Sequence, residues 1–314
     1  MDKHLSENEL PALSRFFYIV KPLIPRDFQL FLRRIIARRK RKRIGAIWPI
    51  DPGAGQSPVG WKGWPNGKKF AVAFAHDVDT QFGHDRCKLL MDLEERMGVR
   101  SIFYIVPERY HIDKSLIKEI KSRGFGIGIH GLKHDGKLFQ SYDIFRKSAV
   151  KINEYMRDWK TTYFSSPSMH HRMNWMHYLD MESSTSTFDT DPFEPQSDGI
   201  GTIFPFIVTN DENDRSFVEM PYTLPQDFTL YVILREKNID IWKKKLDWIA
   251  QNSGLALINT HPDYMDFTNG KSPRREEYPV RFYEEFIMYL KNTFKEQYLA
   301  ALPKDIVEFM KAPS

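Results

Sequence analysis

The chain is poor in cysteine. Cys87 is the only one in 314 residues, which excludes an internal disulfide framework and fits a reducing compartment. Long apolar runs are missing as well, since no stretch approaches the ~18 consecutive apolar residues of a membrane-spanning helix. The opening MDKHLSENELPALSR lacks the apolar core of a secretory signal. The expected location is cytoplasmic, peripheral on the inner membrane if a basic segment near the N-terminus acts as an anchor. That segment has no acidic residue. Residues 33–43, RRIIARRKRKR, hold eight basic side chains in eleven, and removing them from the formal net charge of +5 leaves −3. The pI of about 9.0 therefore belongs to one element and says little about the body of the protein. No recognition motif accompanies the charge, so nucleic acid is not an expected partner. Against these absences, 41% hydrophobic and 14% aromatic residues suffice for a sizeable core.

Asp77 and Asp79 in FAVAFAHDVDT, and His130 and His134 in FGIGIHGLKHD, each follow an apolar run that reads as a buried strand. Residues i and i+2 of a strand share a face, so Asp77 and Asp79 point one way and His76 the other. A helical turn after Ile129 places His130 and His134 on one face, able to share a metal. One Asp with two His leaves coordination positions open, the arrangement of metal-assisted hydrolysis. Singly, both patterns are weak: DxD is common in turns and caps, and HxxxH is often two unrelated histidines. Their joint placement at two strand ends carries the reading, because chemistry in parallel α/β folds collects at the C-terminal ends of strands.

Strand and helix patterns alternate along the chain. FAVAFAH precedes a helix over 84–98, SIFYIVP precedes SLIKEIKSRG, and FGIGIHG precedes a helix over 139–159. TTYFSSPS is followed by a helical NWMHYLDM, and then come the strands FVEMPYT and TLYVILRE. The helix DIWKKKLDWIAQ, the strand LALINTH and a long C-terminal helix from about 279 complete the pattern. Such alternation predicts a parallel sheet or closed barrel. Ahead of it, Asp27 is placed to cap a helix from Phe28, with Leu32, Ile35 and Ile36 among its apolar positions. Residues 28–43 then read either as a helix packed on the body or as an amphipathic anchor on an anionic membrane surface. The connector that follows, PIDPGAGQSPVGWKGWPNG, carries tryptophans, which predicts that it is docked.

The ordered set of motifs resembles the NodB-type polysaccharide deacetylases of carbohydrate esterase family 4, over about residues 68–265. AHDVDT resembles the first motif, which implies Asp77 as catalytic base and Asp79 as metal ligand. IHGLKHD resembles the second, which implies His130 and His134 as the other ligands. LINTHPDYM resembles the last, which implies His261 as general acid. KPLIPR, the Trp-Pro connector, FDTDPFEPQ and MPYTLPQDF are similar to signatures of a subgroup associated with bacterial surface polysaccharides. The resemblance implies an irregular (β/α)7-type barrel over residues 67–314, preceded by a basic segment and connector over 1–66. It also implies a divalent metal and an N-acylated amino sugar in a carbohydrate; the absent signal peptide and the basic segment make a lipid-linked or cytoplasmic precursor of a surface polysaccharide the expected substrate. YFSSPS stands where the family has Arg-x-Pro, so Ser165 replaces the arginine while Pro167 remains. Ser183 and Ser184 stand where the subgroup tends to carry Tyr-Asp. An acid and a base lost together leave neither charge buried alone.

Zinc suits two histidines and a carboxylate, with iron, cobalt, nickel and manganese as alternatives. A backbone N–H near Ser166 or Ser168 is the candidate oxyanion donor. Asp263 and Tyr264 are candidates to orient His261, since a carboxylate commonly orients a catalytic histidine. Asp189, Asp191 and Glu194 read first as an acidic turn and second as binders of sugar hydroxyls. Two rivals remain: a non-catalytic relative acting as a binding or scaffold module, which Ser165 favours, and a non-haem iron oxygenase. The oxygenase uses the same donors but normally on a β-sandwich, against the alternation seen here.

Overall fold

The first strand sets the plan of the molecule. In β1 (Phe70–Val78) the small residues Ala71, Ala73 and Ala75 line one apolar cluster, while Phe70, Val72, Phe74 and Val78 join another. Strict alternation of this kind gives a strand buried on both faces: the inner face lines a narrow barrel and the outer face meets helices. His76 faces outwards, opposite Asp77, and is hydrogen-bonded to Thr260 and Glu94 at 2.8 and 2.9 Å. This computed structural model describes residues 25–45, 48–194, 198–210, 215–271 and 274–312. The opening MDKHLSENELPALSR and most of KPLIPR lie outside them, as do the last two residues of FDTDPFEPQ.

Strands β2 (Ile102–Ile105), β3 (Gly126–His130), β4 (Tyr163–Ser165) and β5 (Ser183–Ser184) follow in parallel order from β1. Beyond them, β6 (Phe206–Thr209) is antiparallel to β7 (Ser216–Glu219), which pairs in parallel with β5. β8 (Leu255–Thr260) returns to the far edge of β1. β9 (Met265–Asp266) and β10 (Tyr278–Pro279) form a small separate pair, and β11 (Tyr298–Ala300) joins the first residues of β1. The seam between β7 and β8 is closed by one side chain. Thr223 donates from its N–H to the carbonyl of Leu257 and from its hydroxyl to that of Leu255, while the N–H of Leu257 donates back to the hydroxyl. The interior is tight: a Cβ on Gly128 would lie 2.4 Å from the ring of Tyr104. The curled parallel sheet with flanking helices agrees with the parallel sheet or barrel that the alternation predicts and with the irregular barrel that the resemblance implies.

Helices α2 (Gln81–Arg96), α3 (Lys114–Ser122) and α4 (Tyr142–Trp159) start on Thr80, Asp113 and Ser141, each of which accepts a hydrogen bond from a first-turn N–H. α6 (Asp240–Gln251) and α7 (Arg281–Phe294) cover the other side, after a four-residue α5 (Met173–Met176) that is all the helix NWMHYLDM forms. The expected single C-terminal helix is divided. It stops at Lys295 in a positive-φ conformation, and α8 (Pro303–Lys311) begins only after β11, with proline at its first position. TLYVILRE is not a strand either. Residues Phe228–Leu234 form a π-helical segment, started by Asp227 and ended by Arg235 at φ 60°. A short apolar run has no period that separates the two states.

Helix α1 (Arg26–Ile44) begins before Asp27, which pairs with Arg275 at 2.5 Å instead of capping. It lies on the π-helical segment, burying Leu30 and Ala37 against Phe228, Val232 and Ile233. Arg34 donates to the carbonyl of Val232, and Arg41 lies over Trp48. The connector is docked as its tryptophans predict, with Trp48 and Trp64 each 4% exposed. Among the described residues no helix is long and apolar enough to cross a membrane.

Candidate metal centre with a flanking base and acid

Asp79 lies just past the end of β1, and His130 is the last residue of β3. The two strands flank β2, so their C-terminal ends converge on one point. No helix follows Ile129, contrary to the expected helical turn. The loop carries Gly131 at φ 59° and His134 at φ 52°, and these two left-handed residues fold the second imidazole back towards the first. Ligand atoms of Asp79, His130 and His134 all lie within 4.8 Å of one another. The Nε2 atoms of His134 and His130 approach Asp79 Oδ1 at 3.0 and 3.5 Å. Ligands about 2.0–2.1 Å from a tetrahedral zinc are roughly 3.3 Å apart, so the spacing fits. Asp79 Oδ1 is also buried with no hydrogen-bond donor, as an oxygen meant for a cation is. Although burial acts to raise its pKa, the two imidazoles hold the Asp79 carboxyl well below the usual carboxylate range.

Asp77 sits beside this group, with Oδ1 3.5 Å from His130 Nδ1, and is outside the three-residue cluster. Ser165 donates its hydroxyl to Asp77 Oδ1 at 3.2 Å, and Asn259 donates its amide to Oδ2 at 2.7 Å. Ser165, Ser183 and Ser184 are fully buried on the paired strands β4 and β5. Neutral donors therefore hold the aspartate in place of the missing arginine, while Glu219, opposite Ser184 on β7, is a buried carboxylate whose pKa burial raises. Asn259 escaped the reading of the sequence. Its signal was its position two residues before His261 on β8, which puts both on one face.

His261 is oriented by Asp227, not by Asp263. Asp227 Oδ1 lies 2.7 Å from His261 Nδ1, and its Oδ2 accepts the N–H of His261 and the hydroxyl of Tyr278. Burial alone would favour the neutral imidazole, but the Asp227 carboxylate outweighs it and pushes the His261 pKa up to about 10. Asp263 serves the other end of the site: it accepts the N–H of Asp79 at 3.0 Å and the hydroxyl of Thr80 at 2.5 Å. That fixes the backbone of the aspartate ligand. The Tyr264 ring lies 5.2 Å from the His261 ring, tilted by 55°.

Pro167 packs on the histidine loop, where a Cβ on Gly131 would lie 2.6 Å from its ring. The N–H of Ser166 is spent on Ser186 Oγ at 3.0 Å and so is not a free oxyanion donor. Asp189 and Asp191 are buried, not part of an exposed turn. Asp189 meets Lys245 Nζ at 2.5 Å, and burial still raises its pKa to about 6. Glu194, half-buried, is also pushed up by burial. His134 stands between two openings. A cleft of about 440 Å³ runs past Ser166, Pro167 and His170, and one of about 1020 Å³ runs past Asp79, Tyr264 and the start of α1.

No protein-family model and no curated protein matches the chain. Solved structures do. A Mycobacterium smegmatis protein assigned as a polysaccharide deacetylase superposes with a TM-score of 0.59 at 18% identity, covering 83% of this chain and 95% of that one. A Pseudomonas aeruginosa PAO1 protein assigned likewise gives 0.57 at 14% identity, covering 85% and 100%. PuuE allantoinase gives 0.59 at 15% identity, covering 85% and 99%. At such identities the likeness speaks for architecture, and it agrees with the barrel built up from β1 to β8: the chain has the fold of the NodB-type polysaccharide deacetylases.

Proposed function

We propose that the protein is a metal-dependent hydrolase that removes an N-acyl group, acetyl in the simplest case, from an amino sugar of a surface polysaccharide or its precursor. One observation carries this reading: three clustered ligands, Asp79, His130 and His134, stand beside a carboxylate and an imidazole, each held by dedicated hydrogen bonds. A divalent cation, zinc by its donor set with iron, cobalt, nickel or manganese as alternatives, supplies an acidified water and a polarised acyl carbonyl when bound. Asp77 takes the proton of that water, with Ser165 and Asn259 keeping its carboxylate in place. His261 holds the proton that the leaving nitrogen needs, and Asp227 stabilises the imidazolium until the C–N bond breaks. A non-catalytic binding module, which Ser165 suggests, gives no reason for so carefully held a base and acid.

The test is metal analysis combined with assays on N-acetylated and N-formylated sugars. Asp77→Asn is expected to retain one metal per chain while turnover falls by roughly 10² or more, because it removes a base and no ligand. Loss of the metal along with activity would make Asp77 a ligand. Stoichiometric metal with no turnover on any amide would favour the binding module.

Peripheral attachment to an anionic membrane belongs to the same proposal. Phe28, Phe31, Leu32 and Ile36 share one face of α1, opposite the buried Leu30 and Ala37, and are 52, 55, 40 and 62% exposed. Arg38, Arg39, Lys42 and Arg43 are exposed further along the helix. An apolar stripe left exposed among the described residues, with cations beside it, matches the chemistry of an anionic bilayer.

A further inference from the structure

The larger cleft is lined by four arginines and four carboxylates, but not all of them are matched to one another. Arg26, Arg109, Arg274 and Arg275 line it together with Asp79 and His134. Its carboxylates away from the metal ligands are already engaged. Glu276 takes Arg26 at 2.6 Å, Glu277 takes Arg86 at 2.7 Å, and Asp263 accepts from Asp79 and Thr80. Arg275 is matched by Asp27. Arg109 and Arg274 are left, both exposed; Arg274 donates its backbone N–H to Glu277, but neither guanidinium has a carboxylate partner among the described residues. Arg274 lies over the Phe82 ring at 3.9 Å. A guanidinium held on a ring face keeps its edge N–H groups for a ligand, and a planar fork of donors matches a phosphate. At about 1020 Å³ the cleft reaches the upper end of small-molecule sites, roughly 300–1,000 Å³, so it holds more than one sugar ring. In the smaller cleft Lys133 and Lys151 are both paired with Glu108, and the two other cations, Lys137 and Lys147, are lysines without a planar fork of donors.

We infer that the substrate is an amino sugar bearing a phosphate or diphosphate, which Arg109 and Arg274 bind while the acyl group sits at Asp79 and His134. This rests on the hydrolase reading and names its substrate class. Nucleotide-linked and lipid-linked sugars share that diphosphate. Arg26 and Gln29 of α1 also line the cleft, so a lipid carrier would leave it beside the exposed apolar stripe.

The metal-loaded protein is assayed on N-acetylglucosamine, its 1-phosphate, a uridine-diphosphate-linked form and a polyprenyl-diphosphate-linked form. Calorimetry measures binding of the 1-phosphate independently of turnover. The expected result is a kcat/KM at least tenfold higher for phosphorylated than for neutral sugar. That preference and the calorimetric affinity are both expected to be lost in Arg109→Ala/Arg274→Ala with metal content unchanged. Equal kcat/KM for neutral and phosphorylated sugars would overturn the inference. So would a preference or affinity that survives the double variant, because the anion would then be held elsewhere, as by the metal. If no sugar is hydrolysed, the hydrolase reading fails and calorimetry alone decides the anion site. The better of the two diphosphate forms identifies the carrier.

Discussion

His261 owes its proton to Asp227. The imidazole pKa rises from 6.5 to about 10 in the folded chain, against the effect of burial. A base whose folded pKa is raised contributes stability that is complete below its unfolded value and is lost as the pH rises through the folded one. The contribution of the charged imidazole is therefore full below about pH 6.5 and fades towards about 10. The same shift sets the activity profile: the alkaline limb of kcat/KM is expected well above that of a free imidazole. Asp227→Asn is expected to pull that limb down towards neutrality without loss of metal. An unmoved limb in this variant would assign the proton to another group. Of these residues, Asp77, Asp79, His130 and His261 are legible in the sequence because they stand at or just past the ends of apolar strands, and His134 because of its spacing from His130. Asp227 was not. It belongs to a π-helical segment that reads as a strand, so nothing in MPYTLPQDF places its carboxylate against a histidine 34 residues on.

At the scale of elements, the histidine loop and α1 each carry a prediction. His130 and His134 meet because the loop turns through left-handed residues, not because a helix stacks them. Gly131→Ala asks a Cβ to occupy a positive φ and to approach the Pro167 ring to 2.6 Å. It is expected to weaken metal binding, by titration, by at least tenfold while the barrel still folds, because only the loop must move. For α1, four exposed cations each contribute roughly 1 kcal/mol near an anionic surface. Sedimentation with vesicles is expected to need anionic lipid and to weaken in ~1 M salt, where the Debye length is about 3 Å. Binding to neutral vesicles alike, or none at all, would sink the anchor reading. A concentration-dependent dimer without vesicle binding would give the stripe to a second copy. The sequence left packing and anchoring as alternatives, and α1 does pack, through Leu30 and Ala37: eight basic residues in eleven did not distinguish the cations that brace the body, such as Arg34 and Arg41, from those left in solvent.

Across the whole molecule, Lys245 is the tie whose loss is felt furthest. From α6 its ammonium reaches Asp189 at 2.5 Å and the carbonyl of Pro49 at 2.8 Å, joining a helix, the loop after β5 and the N-terminal connector. Both charges are buried, so Lys245→Met strands a carboxylate and is expected to cost about 3–5 kcal/mol in urea unfolding. The double variant Lys245→Met/Asp189→Leu is expected to recover most of that, since the cost lies in the unpaired charge. A single variant as stable as the parent would mean that the pair is neutralised in the fold. The barrel itself was legible because strand and helix periods alternate cleanly. The partner of Lys245 was not, because an acidic stretch between turns reads as solvated wherever its neighbours are remote in sequence.

The π-helical segment has two tenants. On its outer side Phe228, Val232 and Ile233 seat α1, and at its first turn Asp227 grips His261. Whatever tugs on α1 therefore pulls on the bracket that holds His261, across a span of only a few residues. Leu30→Ala, which loosens the seat and touches nothing at the centre, is expected to register in the titration of one imidazole. A protein fastened by that helix to a surface would then carry its own strain gauge, read out in protons.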